Sequence, residues 1–221
     1  MSDPETVQAL LNDVDWGRRL HGVEQCRRLA PTVAMNFLKE VMTDRNARVR
    51  YAAVSQLGNM EGLSAGQKQE LLPLLRERLY GDSEADVQAA AADALAGLGL
   101  TEAYGDLERA YRESPEWLVK FSVIAGLGVL GDARAYPLLL EALDAEIDLL
   151  KLAAIGALAD LGDMRAVPRL GELVNHPDWQ VRLRLAQALQ RLDGADAQPF
   201  LATLAQDDMD VVAQAAQTTP N

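Results

Sequence analysis

The sequence predicts an all-α protein, a right-handed α-solenoid of about six stacked helix pairs. Three observations lead there. The first is internal self-similarity. The segments RVRYAAVSQLG, DVQAAAADALAGLG, LVKFSVIAGLGVLG, LLKLAAIGALADLG and QVRLRLAQALQRLDG each carry an aliphatic anchor followed by a polar or cationic residue. With a truncated last copy, the anchors are Val49, Val87, Val119, Leu150, Val181 and Val212, spaced by 38, 32, 31, 31 and 31 residues. Eight residues after the first five anchors comes a leucine: Leu57, Leu95, Leu127, Leu158 and Leu189. The second observation is composition. Aromatic residues make up only 5%, while alanine and leucine abound, which favours helices over sheets. The third is punctuation: proline and Gly-Asp recur at fixed places in the period.

The elements follow in order. Residues 1–31 read as an N-terminal cap, made of the helix ETVQALLNDV and a degenerate second helix over 15–31 that fits the template with a one-residue slip. Repeats are expected at 32–60, 64–100, 101–132, 133–163, 164–194 and 195–221, all in one domain without a linker. The long 38-residue spacing is explained by an insertion rich in Gly and Ser, NMEGLSAG at 59–66. Each first helix is short, with proline near its start in Tyr136-Pro137, Val167-Pro168 and Gln198-Pro199, where a missing N–H costs nothing. Each second helix begins near Ser114-Pro115 or His176-Pro177 and runs through the anchor. It stops at Gly131-Asp132 or Gly162-Asp163, where glycine permits a left-handed cap and aspartate can cap the next helix.

Charge and residue inventory narrow the function. The 221 residues carry 33 Asp and Glu against 21 Lys and Arg, a formal net charge of −12. Nucleic-acid binding and anionic membrane surfaces need the opposite sign. The single cysteine, Cys26, rules out an internal disulfide and a thiolate-built zinc or iron–sulfur site, and no metal is expected. The acidic start MSDPETV lacks the layout of a signal peptide, and the apolar run at 121–130 is too short to span a bilayer. A cytoplasmic location without membrane insertion is therefore expected. Catalytic groups are scarce. His176 reads as a helix cap, and His21 and Cys26, five apart, do not share a helix face. The repeated Leu-Gly-Asp elements are helix ends rather than phosphate loops.

A helical wheel locates the candidate surface. Offsets 0, 3, 4, 8 and 11 from each anchor form the core side. The opposite side, offsets 2, 5, 6 and 9, is apolar as well. Offset 2 carries Tyr51, Ala89, Phe121, Leu152 and Leu183, and offset 5 carries Val54, Ala92, Ile124, Ile155 and Ala186. Two readings stand: a concave apolar groove for a partner helix or flat ligand, or mutual burial of adjacent second helices. Offset 1 is a flanking row of Arg50, Gln88, Lys120, Lys151 and Arg182. It reads either as a binding row for carboxylates or as a structural ladder to turn residues such as Asp44, Asp132 and Asp163. Trp117 and Trp179 recur two residues before the anchor, with Trp16 in a similar setting. They read as an aromatic rim or as rings packed over a turn.

The period near 31, the paired helices and the anchor-plus-cation signature resemble HEAT repeats, most closely the short bacterial kind named after phycobilisome lyases. The strings DSEADVQAAAADALAGLGLTEAY, SPEWLVKFSVIAGLGVLGD and GDMRAVPRLGELVNHPDWQVR further resemble the phycobilisome degradation family of the non-bleaching B type. That resemblance implies binding of phycobiliprotein subunits (phycocyanin or allophycocyanin) during dismantling of the light-harvesting antenna under nutrient stress. It implies phycocyanobilin or another tetrapyrrole as a ligand rather than a required cofactor, with bilin detachment as a lyase-type activity. No catalytic motif of that family maps onto this sequence. A non-enzymatic scaffold for another protein and a tetrapyrrole carrier are the alternatives. The lack of a His-Glu pair argues against the metal-binding HEAT hydroxylases, and the acidic balance against HEAT-type DNA glycosylases.

Overall fold

The computed structural model describes residues 3–217, and among them every regular element is helical. Fourteen α-helices alternate as first and second members of seven pairs among the described residues. In order they are α1 (Pro4–Leu11), α2 (Trp16–Gln25), α3 (Pro31–Val41), α4 (Ala47–Gly58), α5 (Ala65–Gly81), α6 (Ala85–Gly97) and α7 (Tyr104–Glu113). There follow α8 (Trp117–Leu130), α9 (Tyr136–Ala142), α10 (Asp148–Leu161), α11 (Val167–Gly171), α12 (Trp179–Leu192), α13 (Gln198–Leu204) and α14 (Asp210–Gln217). The chain divides into two compact units, Met1–Val123 and Ile124–Asn221, with the boundary inside α8. Within the first, α2, α4 and α6 pack successively on one another; within the second, α10, α12 and α14 do.

The punctuation acts as the sequence predicts. Proline sits in the first turn of α9, α11 and α13. Gly131 and Gly162 adopt φ of 67° and 71°, the left-handed conformation that ends a helix. Asp132 and Asp163 then accept the N–H groups of Arg134 and Arg165 at 2.9 and 3.0 Å. The insertion contributes a reciprocal capping box, Ser64 with Gln67, that starts the 17-residue α5. All anchors are at most 4% exposed, and the five leucines eight residues later are fully buried.

The first pair keeps the period. Its second helix starts at Trp16 as α8 starts at Trp117 and α12 at Trp179. Arg19 lies 31 residues before Arg50 and makes the same contacts, so no slip is needed. Arg18 takes the anchor position, and buried Cys26 takes the place of the leucine.

Adjacent second helices approach closely because small residues line their contact. A Cβ on Gly58 would lie 2.5 Å from the Ala94 Cα, and one on Gly128 2.6 Å from the Ala157 Cα. This accounts for the apolar residues far from the anchor. Val54, Ala92, Ile124, Ile155 and Ala186 are all fully buried. The expectation that Val54, Ile124 and Ile155 face a partner is thus corrected: the neighbouring repeat covers them.

An arginine–aspartate clasp joins successive pairs. Arg50 Nε and Nη2 donate to both oxygens of Asp82, at 2.8 and 2.7 Å, while Nη1 donates to the Asp44 carbonyl at 2.9 Å. Arg19 repeats this with Asp44 and the Asp13 carbonyl, and Arg182 with Asp207 and the His176 carbonyl. The ladder reading of offset 1 therefore describes Arg50 and Arg182. Asp132 and Asp163, expected as rungs, instead pair locally with Arg134 and Arg165. These aspartates stand 18 residues before the next anchor, capping the start of a first helix, whereas Asp44, Asp82 and Asp207 stand five before it.

Three outcomes follow. Burial would raise the Asp82 carboxyl, but hydrogen bonds from Arg50 and the Glu84 N–H outweigh it and hold the group below its usual range. The Arg182 hydrogen bond lowers Asp207 from 3.8 to about 2. Carboxyls lowered in the folded state stabilise it above the unfolded value, so clasp stability is expected to be lost as pH falls from about 4 to 2. Denaturant titrations across that range measure it, and Arg50→Ala, which leaves the buried Asp82 carboxylate only one cation, the Arg78 guanidinium at 3.3 Å, should cost about 2 kcal/mol at pH 7. Gly58→Ala gains about 1 kcal/mol of helix propensity but overpacks against the Ala94 backbone, a cost of about 1–3 kcal/mol. The expected result is a lower midpoint, opposite to Gly→Ala in an open helix.

Candidate functional site

The second helices bury their anchor side against the first helices and their flanks against each other, which leaves offset 2 as the outward position. Tyr51 stays 47% exposed there, and Phe121, Leu152 and Leu183 are half-buried. Only Ala89, too short to reach past its neighbours, is buried in this row.

In the first unit, Tyr51 separates two clefts. One of about 300 Å³ is walled by Ala47, Arg48, Glu84, Asp86 and Val87. The other, about 270 Å³, is lined by Ser55, Asn59, Ala90 and Asp93 with Gly58 and Gly97. The Ser122 hydroxyl donates to the Asp93 carboxylate at 3.1 Å. Asp93 is itself solvent-exposed, yet the crowding of apolar helices raises its pKa, with the Ser122 bond working in the other direction. Asp93 and Ser122 were not foreseen from the sequence. Their signal is a carboxylate at offset 6, where the other repeats place Ser55, Ala125, Gly156 and Gln187.

In the second unit, Leu152 and Leu183 stand beside polar groups. Gly156 leaves room for the Arg184 guanidinium, and Arg191 pairs with Asp160. The surface here is mixed, not the continuous apolar strip the wheel suggests.

The cations of offset 1 separate into two kinds. Arg50 and Arg182 are committed to their clasps. Lys120 instead lies over the Tyr111 ring, 5.7 Å from its centroid. Lys151 has only Asp148, at 3.8 Å, although its side chain is 18% exposed. The period explains the difference. The position that supplies Asp44, Asp82 and Asp207 holds Ser114, Ala145 and His176 in the three intervening repeats. Gln88, Lys120 and Lys151 thus occur where the register offers no aspartate.

Trp16, Trp117 and Trp179 occupy one position, the first residue of a second helix, and are 39%, 45% and 38% exposed. Arg48 lies over the Trp16 ring, 5.4 Å from its centroid. His176, expected as a helix cap, lies in the turn before α12, where its Nδ1 accepts the Asp178 N–H at 3.2 Å; the cap itself is Asp178, which accepts the Gln180 N–H at 2.8 Å. His21 lies exposed beside Glu24. Cys26 is buried, its thiol directed at the Gly22 carbonyl and its pKa pushed up to about 11 by burial, so it stays protonated and out of reach. Among the described residues, no group of three or more His, Cys, Asp or Glu could hold a metal ion. No helix among them is long and apolar enough to cross a membrane.

This arrangement can bind; the Ser122–Asp93 pair sets a hydroxyl against a carboxylate, but Ser122 itself is buried. Comparison with known proteins agrees on the architecture. Solved structures of similar fold include the Escherichia coli protein YibA, with 16% identity, a TM-score of 0.62, and coverage of 97% of this chain and 91% of that one. Another is the complex of CpcE and CpcF of phycocyanin lyase from Nostoc, with 17% identity, a TM-score of 0.60, and coverage of 97% and 92%. An engineered protein matches with 16% identity and a TM-score of 0.58, over 98% of this chain and 67% of that one. No curated protein matches the chain in sequence. The family model for HEAT repeats matches residues 4–96, 72–159 and 146–219, and the chain belongs to the HEAT-repeat family.

Proposed function

We propose that this HEAT-repeat protein is a binding module that holds a helix-rich protein through the outward residues of its second helices. The observation that carries the reading is the partial exposure of apolar residues at the outward position, Tyr51 and Phe121 in the first unit and Leu152 and Leu183 in the second. Solvated helix faces are ordinarily polar, so an apolar row left open is suited to a partner. The partner class we favour is a phycobiliprotein subunit, phycocyanin or allophycocyanin, with its bilin or another tetrapyrrole as the ligand. Supporting it are the sequence resemblance to phycobilisome degradation proteins and a fold like that of the phycocyanin lyase complex. A role in dismantling the antenna, with detachment of the bilin, follows from the same resemblance. No bond-breaking step is assigned to a residue, because Cys26 is buried and neither histidine lies in the outward row. That poverty of reactive groups favours a second reading, a non-enzymatic scaffold.

The test is to mix the purified protein with phycocyanin subunits and with free phycocyanobilin. Co-migration and a shift in visible absorbance are expected. Phe121→Ala and Leu152→Glu should each weaken binding about tenfold with helicity retained, a loss of about 1.4 kcal/mol. Co-migration without any effect on the bilin selects the scaffold. Binding of the free bilin alone selects a carrier. No interaction with either overturns the phycobiliprotein assignment.

A further inference from the structure

The exposed apolar residues of the second unit are not concentrated on the outward row. Among the described residues of that unit, seven large hydrophobic side chains are exposed, and five of them cluster where second helices begin: Ile147 and Met209 in the lead-in turns, and Leu149, Trp179 and Val211 in the first turns of α10, α12 and α14. The three turns belong to successive pairs. Helix α10 packs on α12 and α12 on α14, which brings their starts side by side. Arg182 fixes two of them directly, donating to the His176 carbonyl at 2.8 Å and to Asp208 at 2.9 Å.

The same turns are strongly acidic. Residues 144–149, 176–180 and 207–211 contain seven Asp and Glu and no Lys or Arg. Glu146, Asp148, Asp208 and Asp210 are exposed. The nearby cations Lys151 and Arg182 are largely buried behind the turns, with side chains 18% and 12% exposed. Asp144, Asp148, Asp207 and Asp208 pair with Arg169, Lys151 and Arg182, so the edge combines an aromatic anchor, four aliphatic or thioether side chains and two exposed carboxylates, Glu146 and Asp210, that form no ion pair among the described residues.

We infer that this edge of the second unit is a docking surface for a basic amphipathic segment, one that sets leucine-like side chains on Trp179 and Leu149 and lysine or arginine against Glu146 and Asp210. Charge complementarity selects that occupant: an acidic partner would bring like charges together, and a neutral apolar one would leave the carboxylates facing nothing. The assignment is independent of the reading of the outward row, since none of these five residues belongs to it.

The probe is a labelled synthetic helix of leucine and lysine, with a counterpart in which glutamate replaces lysine, titrated against the full chain by fluorescence anisotropy. The basic helix should bind and the acidic one should not. Leu149→Ser and Trp179→Ser, each checked for helicity, should weaken binding about tenfold. Glu146→Lys should weaken it at least about fivefold. Asp196→Lys makes the same charge change at the far end of α12 and should weaken it less than about twofold. Three results would overturn the inference: equal binding of both helices; equal losses from Glu146→Lys and Asp196→Lys, which reduces the effect to net charge; or a concentration-dependent dimer abolished by Leu149→Ser, which makes a second copy the occupant.

Discussion

A pair of short helices has more apolar surface than it can cover alone, and every other feature of this chain answers that constraint. The anchors and the leucines eight residues later bury one side of each second helix within its own pair. The small residues at Gly58, Ala94, Gly128 and Ala157 let the next second helix close over the other side. Stacking is therefore a condition of folding rather than an addition to it. The surface left over is small and specific: one outward position per repeat, and the turns.

Polar groups are arranged around this stacking, not against it. The clasp arginine reaches back to a carbonyl of its own lead-in turn and forward to a carboxylate of the next, so one guanidinium satisfies two turns at once. Its planar fork suits that geometry, which lysine cannot reproduce. Where the aspartate is replaced, lysine or glutamine stands in the cation row, and the local contacts of Lys120 and Lys151 are correspondingly loose.

Much of the fold is legible in the sequence because a period of 31 residues constrains the same chemistry repeatedly. The anchors, the glycine stops and the proline starts all lie where periodicity and backbone chemistry require. The first pair was harder to read, because Arg18 and Cys26 replace the apolar anchor and the leucine, and only the contacts of Arg19 restore the register. The surface was less legible still. A wheel cannot distinguish a side chain facing solvent from one facing the next repeat, so Val54, Ile124 and Ile155 looked available although neighbours bury them. Turn residues such as Ile147 and Met209 carry no helical periodicity, and their exposure appears only once the turns are built. Trp117 and Trp179 stood out by recurrence alone, which fixes their position but not what covers them.

The aspartate five residues before the anchor does two separable things. It accepts the N–H two residues on, as in Asp44 with Asn46 and Asp207 with Met209, and it receives the preceding arginine. Ser114 and His176 still perform the first, accepting the N–H groups of Glu116 and Asp178. Neither supplies a carboxylate. Mutation at this site can therefore erase a clasp while leaving the turn intact, and once the carboxylate is gone nothing there requires arginine in the preceding repeat.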